Sequence, residues 1–286
     1  MGLKYENRKT QSKIHFTSRE KPIIVQIFGN TITETILSAQ YAEKMGADGI
    51  DFNCGCPARN MIASGNGGKL LLEPDKLIEV LTSIKKNIHI PLSLKTRIGY
   101  DKILPPKFYD KIAKKTGIDC LIIHGRTVKQ KYRGKSDWKQ IKKISQKISI
   151  PVIGSGDIIN AYIAQNRINN FTPAGIMIGR GALGNPWIFN QTKKVLSGIK
   201  IRPHINLKKI IQTILFHARL NIKEFLHNPY YTAKFTRDEI EHHAICNMRK
   251  HFGWYFKGFV GAKTIRMDLF TISTYEELEK YLNKLT

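Results

Sequence analysis

The sequence predicts an α/β fold: a (β/α)8 barrel of the TIM type, followed by an all-helical C-terminal domain. Three observations support this prediction. Short runs rich in Val, Ile and Leu alternate with amphipathic segments over the first 200 residues, each run ends in polar or glycine-rich residues, and no such run follows. Apolar runs of this kind are typical of buried parallel strands, and their alternation with helices indicates βαβ units.

Six strands are predicted, at Ile23–Gly29, Gly49–Asn53, Ile90–Gly99, Cys120–Arg126, Pro151–Asp157 and Ala174–Arg180. Helices are predicted between and after them, at Thr33–Met45, Pro74–Lys86, Pro106–Thr116, Asp137–Gln146, Ile158–Asn166 and Pro186–Leu196. The C-terminal helices are predicted at Asn206–Leu226, Arg237–His251, Gly261–Leu269 and Tyr275–Lys284. Apolar residues at helical spacing, such as Leu77, Leu81 and Ile84, and prolines at the first positions support these helices.

Polar side chains end every predicted strand, and they are Gln26, Asn53, Lys95, His124, Asp157 and Arg180. Active sites of (β/α) barrels lie at the carboxyl ends of the strands, whereas a doubly wound sheet concentrates such residues at one switch point. We therefore predict a catalytic barrel over residues 1–200 and a helical domain over residues 201–286.

The predicted strands number six, whereas a closed barrel has eight strands and about 250 residues. The last two end in Ser155-Gly156-Asp157 and Gly179-Arg180-Gly181. Barrels often hold a phosphate in the loops after strands 7 and 8. If these segments follow strands 7 and 8, the missing pair is strands 1 and 2, and the barrel is predicted to be incomplete at its N-terminus.

Composition narrows the class of function. The chain has 286 residues and a formal net charge of +25, which favours a polyanion such as nucleic acid as partner, although a general bias toward Lys, Ile and Asn also explains the charge. No apolar run is long enough for a transmembrane helix and the first residues lack a signal-peptide pattern, so we expect a cytoplasmic protein. The four cysteines have no zinc spacing, so no metal is expected.

The segment Asn53-Cys54-Gly55-Cys56-Pro57 ends the second predicted strand. Glycine and proline flank Cys56, which fixes the backbone and places a thiol at the mouth of the barrel, where it can act as a general acid. A small packing cysteine is the alternative. The glycine-rich segment Ser64–Gly68 suits either a close approach to a ligand or another backbone, or an ordinary tight loop.

Cations follow two further strands. Lys95 lies in an otherwise apolar strand, where a charge is costly unless it meets an anion; a lysine whose ammonium reaches solvent is the alternative. His124 and Arg126 flank a glycine and can bind an oxyanion or transfer protons, although an isolated histidine is more often structural.

Basic and aromatic residues are mixed in Lys129–Lys135 and Met248–Gly258. Basic side chains bind phosphates and aromatic rings stack on unpaired bases, so Arg133, Arg249 and Lys250 in these segments are candidates for contact with RNA. Arg126, which lies shortly before the first segment, is a further candidate. For the second segment, an aromatic stripe packed in the core with a solvated basic face is an equal alternative.

With these residues, the chain resembles the tRNA-dihydrouridine synthases, and most of all their bacterial B-type branch. The matching segments are VQIFG (25–29), GADGIDFNCGCP (46–57), GNGGKLL (65–71), IPLSLKTRIG (90–99), IHGRT (123–127), YRGKSDW (132–138), IPVIGSGDI (150–158), IMIGRGALGNPWIF (176–189) and MRKHFGWYFKGFVGA (248–262). They run across nearly the whole chain in the family's order.

The resemblance implies an FMN-binding barrel and a helical tRNA-binding domain. In such enzymes NADPH or NADH reduces FMN, and FMN reduces a uridine of tRNA to 5,6-dihydrouridine. Cys56 corresponds to the proton donor and Asn53 to a residue near the target base. Gln26, Lys95 and His124 correspond to residues beside the flavin ring. The residues that correspond to the ribityl-phosphate site are Ser155, Gly156, Asp157, Gly179 and Arg180.

The family also begins with a strand ending in Ala-Pro-Met, and with a second strand, that this sequence does not show. We therefore expect a protein of these 286 residues alone to bind FMN weakly or to fold poorly. Two alternatives remain: a flavin barrel dehydrogenase acting on a free pyrimidine, which leaves the basic helical region unexplained, and a catalytically impaired tRNA-binding protein. A monomer is expected, with the position of the target uridine left open.

Overall fold

The computed structural model describes residues 16–202 and 204–285. By compactness, the chain divides between Gly179 and Arg180 into two units. The predicted division into a catalytic and a helical domain at residue 200 lies further along the chain than this boundary, and it stays a prediction. Within the described ranges, no helix is long and apolar enough to cross a membrane.

The first unit contains six parallel strands: β1 Ile24–Ile27, β2 Gly49–Cys54, β3 Leu92–Arg97, β4 Cys120–His124, β5 Val152–Ser155 and β6 Gly175–Met177. They are hydrogen-bonded in sequential order from β1 to β6. A doubly wound sheet reverses direction at a switch point, whereas sequential order is that of a (β/α) barrel. The predicted fold class, six βα units of the barrel type followed by helices, is therefore confirmed.

The helices of this unit are α1 Ile32–Lys44, α2 Arg59–Ala63, α3 Pro74–Lys86, α4 Pro106–Thr116, α5 Trp138–Ser145 and α6 Ala161–Phe171. Local chemistry sets their ends. The Asp137 carboxylate accepts a hydrogen bond from the Gln140 N–H at the start of α5, and Gly117 closes α4 with a left-handed φ of 67°. The prediction started α6 at Ile158, too early, because Asn160 caps that helix.

The strand register separates an apolar face from a polar one, because alternate side chains of a strand point to opposite faces. Phe52, Leu94 and Ile123 share the face that packs against the helices, and each is at most 1% exposed. The opposite face is polar, since cross-strand partners align there. Those partners are Gln26 with Asp51, Asn53 with Lys95, Arg97 with His124, and His124 with Ser155.

The second unit is helical in its described residues: α7 Ile188–Leu196, α8 Leu207–His227, α9 Pro229–Thr232, α10 Arg237–Tyr255, α11 Ala262–Thr271 and α12 Tyr275–Asn283. Its core lies between α8, α10 and α12, where Ile214, Phe252 and Leu278 are fully buried. A capping box starts α10, with reciprocal hydrogen bonds between Thr236 and Glu239.

Candidate active site

The segment that carries Cys56 is shaped by Asn53. The Asn53 Oδ1 atom accepts hydrogen bonds from the backbone N–H groups of Gly55 and Cys56, at 3.1 Å each. Its Nδ2 donates to Gln26 Oε1 at 2.8 Å. Asn53 therefore folds the turn that presents the half-buried Cys56 thiol.

Two neighbouring segments donate hydrogen bonds to the backbone carbonyls of this turn. The Arg97 Nε–H donates to the Gly55 carbonyl at 2.8 Å, and the Gly68 N–H donates to the Cys56 carbonyl at 3.1 Å. Gly67 has a φ of 57°, and a Cβ there would lie 3.0 Å from the Cys56 Cβ. The glycine-rich segment thus lies close to another backbone, that of Cys56, which is one of the alternatives predicted from the sequence.

A buried carboxylate anchors the polar face. Asp51 accepts hydrogen bonds from Gln26 Nε2 and Ser93 Oγ, at 2.6 Å each. Burial raises the pKa of Asp51, while these two hydrogen bonds and the positive charge of Lys95 act in the opposite direction. The chain of hydrogen bonds from Ser93 through Asp51, Gln26 and Asn53 reaches the Cys56 backbone, so the polar residues of β1 and β2 are connected to the turn that carries Cys56.

Lys95 lies at the centre of this face. Burial lowers the pKa of its ammonium, the negative charge of Asp51 opposes this, and the positive charge of Arg97 lowers the pKa further. Among the described residues, none accepts a hydrogen bond from the Lys95 ammonium. A half-buried cation without a hydrogen-bonding partner favours an electron-rich ligand at this point.

The surroundings of His124 favour the neutral form of its imidazole ring. Burial lowers its pKa to about 3, and the positive charges of Arg97, Lys95 and Arg126 contribute. Arg126 Nη1 lies 3.2 Å from His124 Nε2. Since a guanidinium only donates, we assign Nε2 as the acceptor, which leaves the proton on Nδ1 as a hydrogen-bond donor.

The Asp157 carboxylate accepts hydrogen bonds from two groups of the protein. Its Oδ2 accepts from Arg126 Nη2 at 2.7 Å and from the Ser136 N–H at 2.8 Å. A phosphate at this loop would therefore meet backbone N–H groups rather than the carboxylate. Gly156 has a φ of 125°, and a Cβ there would lie 2.8 Å from His124 Cδ2 and collide with Ser136, so glycine is required.

The two remaining residues of the predicted phosphate site lie at the boundary of the compact units. Gly179 ends the first unit and Arg180 begins the second, in a 3-10 helix at Arg180–Ala182. Strand β6 stops at Met177, so the predicted strand, which ran to Arg180, was too long. The roles of these two residues stay predictions.

Comparison with known proteins identifies the family. The model of the family described as dihydrouridine synthase matches residues 3–286. The chain is 34% identical over 266 residues to tRNA-dihydrouridine synthase B of Pasteurella multocida, covering 91% of this chain and 75% of that protein. It is 33% identical to a probable tRNA-dihydrouridine synthase of Rhizobium leguminosarum, covering 85% of this chain and 70% of that protein. This chain belongs to the dihydrouridine synthase family.

The family resemblance that the sequence motifs indicated is thereby confirmed. The chain is also 30% identical to tRNA-dihydrouridine synthase B of Pseudomonas aeruginosa, covering 92% of this chain and 75% of that protein. Among solved structures, a putative dihydrodipicolinate synthetase of Pseudomonas aeruginosa aligns at a TM-score of 0.49 and 14% identity, over 96% of this chain and 81% of that chain. That structural likeness is too weak to support an argument.

The predicted RNA contacts of this dihydrouridine synthase differ in exposure. Arg133 and Lys250 are exposed, whereas Arg126 is 2% exposed. Arg126 also donates to the carbonyls of Arg133 and Gly134, at 3.1 and 2.6 Å. These hydrogen bonds hold the loop that carries Arg133 and Gly134. For its side chain to contact RNA, Arg126 would have to break them.

The aromatic segment of α10 contributes mainly to the core. Phe252, Tyr255 and Phe256 are at most 7% exposed, as expected for a packed stripe, and Lys250 lies on the solvated face. Arg249 is half-buried and donates to the Ile272 carbonyl at 3.4 Å. The alternative of core packing with a basic outer face therefore describes most of this segment.

Two residues of the site were missed from sequence, Asp51 and Arg97. Asp51 lies in the apolar run GIDFN, and an acid in such a run is a signal that could have been used. Arg97 is 3% exposed and contacts carbonyls that lie up to 42 residues away in sequence, which no local pattern indicates. The described residues contain no group of three or more His, Cys, Asp and Glu placed to hold a metal ion.

Proposed function

We propose that this protein reduces specific uridines of tRNA to 5,6-dihydrouridine, with FMN as its cofactor and NADPH or NADH as the reductant. The observation that carries the proposal is the position of Cys56 on a fixed turn beside Lys95, at the carboxyl ends of β2 and β3. Membership of the dihydrouridine synthase family and the curated names of the relatives support the substrate.

The residues present suit a flavin. The Lys95 ammonium lacks a hydrogen-bonding partner among the described residues and would be matched by the electron-rich N1 and O2 edge of the ring system. The assigned Nδ1–H of neutral His124 supplies a second donor on the same face. Gln26 contacts Asn53, which is the cross-strand partner of Lys95, and the backbone of Ser155–Asp157 would face the phosphate.

When bound, FMN supplies the hydride that is added to C6 of the uracil. Reduction at C6 builds negative charge at C5 and the C4 carbonyl, so an acid must protonate C5. Cys56 carries a transferable proton on its Sγ and is held in place by Asn53 and Arg97. His124 is a poor alternative acid, because with a pKa lowered to about 3 it has no second proton to give near neutral pH.

The target base of a folded tRNA must leave its stack to reach this pocket. Positive charge near the pocket would hold the backbone phosphates while the base is out. Arg133 is exposed in the first unit and is suited to that task. Lys250 is exposed in the helical unit and is a further candidate for contact with the RNA backbone, and the net charge of +25 agrees with a polyanionic substrate.

Replacing Cys56 tests the proposal. In Cys56→Ala we expect the same affinity for FMN as in the wild type and a loss of dihydrouridine formation of roughly 10²- to 10⁴-fold, the usual contribution of a general acid. The measurement is the dihydrouridine content of an unmodified tRNA transcript after incubation with enzyme, FMN and NADPH.

Cys246→Ala is the matched control, because Cys246 is also a half-buried thiol but lies on α10 in the helical unit. It should retain full activity. Undiminished dihydrouridine formation in Cys56→Ala would remove Cys56 from its role, and a folded wild-type protein that binds no FMN even at saturating concentration would contradict the proposed cofactor.

A further inference from the structure

A cavity of about 450 Å³ opens beside the Cys56 turn. This volume lies within the roughly 300–1,000 Å³ that is typical of small-molecule sites. Apolar side chains, including Pro57 and Val128, line it together with the ring of Tyr100. Pro57 directly follows Cys56 in sequence, so the cavity is an immediate neighbour of the proposed proton donor.

Hydrogen bonds between loops hold the walls of the cavity in place. The Val128 and Lys129 N–H groups donate to the carbonyls of Gly99 and Tyr100, at 2.9 Å each. Arg97 Nη1 donates to the Lys131 carbonyl at 2.7 Å. Val128 is 3% exposed, which fixes the apolar wall. These hydrogen bonds and this burial therefore fix the positions of the residues that form one side of the cavity.

Cations surround the opening. Arg59, Lys129 and Lys131 line the cavity and are exposed, and none of the described residues that line it carries a carboxylate. Lys129 forms an ion pair with Asp101 at 2.7 Å, so Arg59 and Lys131 are the cations that remain for a ligand. An aromatic ring with an apolar wall binds a flat base, and cations at the edge bind a phosphate. The cavity thus has the chemistry of a nucleotide site.

We infer that this cavity binds the nucleotide adjacent to the target uridine in the RNA chain, with its base against Tyr100 and its phosphate beside Arg59 and Lys131. The inference rests on the proposed function. Enzymes that extrude a base also bind the flanking nucleotides, which follow the base to the mouth of the pocket. The cavity continues into the exposed basic segment Lys129–Lys135, as expected for a path along an RNA backbone and not for a free dinucleotide.

Substitution of Tyr100 tests the stacking contact. Tyr100→Leu keeps an apolar side chain and removes the ring, so we expect the Kd for an unmodified tRNA transcript to rise about tenfold. Tyr100→Phe keeps the ring and should bind like the wild type. Fluorescence anisotropy with a labelled transcript measures the Kd, and thermal unfolding of each variant confirms that it is folded.

Substitution of Lys131 tests the phosphate contact independently of the ring. Lys131→Gln should lower the slope of log Kd against log salt by about one, which corresponds to one phosphate contact. Lys139→Gln, an exposed lysine on α5, is the control and should leave the slope unchanged. Tyr100→Leu should raise the Kd without changing the slope.

Wild-type Kd and slope in both Tyr100→Leu and Lys131→Gln would overturn the inference. A raised KM for NADPH in flavin reduction, with unchanged tRNA binding, would overturn it by assigning the cavity to the dinucleotide. A wild-type protein that binds tRNA but forms no dihydrouridine would overturn the proposed function alone, since the Kd and slope comparisons would still support or overturn the cavity's role.

Discussion

Arg97 shows how one buried side chain connects separate parts of the site. Its Nε–H donates to the Gly55 carbonyl at 2.8 Å, beside the proposed proton donor. Its Nη1 donates to the Thr127 and Lys131 carbonyls, at 2.8 and 2.7 Å, in a wall of the cavity. Three backbone carbonyls from two loops thus depend on one planar guanidinium, whose donors are fixed in a fork.

We predict that Arg97→Lys lowers the free energy of unfolding of the first unit by about 2–4 kcal/mol. An ammonium cannot reach all three carbonyls, and each buried acceptor that loses its partner costs about 1–3 kcal/mol. Urea denaturation followed by tryptophan fluorescence measures the change. Arg133→Lys at an exposed position is the control and should be nearly neutral. A loss below about 0.5 kcal/mol, the range of ordinary surface substitutions, would contradict this account.

The sequence indicated Cys56, Lys95 and His124 because polar residues at the ends of apolar strands are visible in a single chain. It did not indicate what they do there. The lowered pKa of His124 follows from its burial first and then from the positive charges of Arg97, Lys95 and Arg126, and this surrounding forms only when β3 and β4 pair. Residue type is therefore readable from sequence, whereas electrostatic state depends on packing.

At the scale of elements, prolines and glycines made the helix boundaries predictable. The observed helices α3 and α4, Pro74–Lys86 and Pro106–Thr116, coincide with the predicted segments. The short helices α2 and α9 were not predicted, because five and four residues are too few to show helical periodicity. The strands other than β2 were predicted too long, since each predicted segment included residues of the adjoining loops, whereas β2 runs one residue beyond its prediction, to Cys54.

The capping box of α10 gives an element-scale prediction. Thr236 accepts a hydrogen bond from the Glu239 N–H at 3.3 Å, and the Glu239 carboxylate accepts from the Thr236 N–H at 2.8 Å. Thr236→Ala should lower the free energy of unfolding of the helical unit by about 0.5–2 kcal/mol. Chemical denaturation followed by circular dichroism measures it.

Thr236→Ser serves as the control for that change, because serine retains the hydroxyl and caps equally well. It should restore most of the lost stability. Equal losses in Thr236→Ala and Thr236→Ser would show that the methyl group, and not the hydrogen bond, is what stabilises the start of α10.

At the scale of the whole molecule, each compact unit contains a histidine that packing holds neutral. His124 lies on the polar face of the sheet in the first unit. His251 lies in the second, with its ring 4.7 Å from the ring of His217. Burial lowers the pKa of His251 to about 4, and the charges of His217 and Lys250 act in the same direction. Two units with different folds therefore share the same response to acid.

Acid should weaken both units below about pH 6.5, down to about 4 for His251 and about 3 for His124. An unfolded histidine takes up its proton near pH 6.5, whereas folded His251 does so only near 4, so between these values the unfolded chain binds more protons and stability falls as the pH falls. The stabilising contribution is complete above 6.5. His251→Gln should flatten this decline for the helical unit, whereas His227→Gln, at an exposed position, should leave it unchanged. Thermal unfolding across this range measures the decline, and an identical slope in His251→Gln and the wild type would exclude His251 as its source.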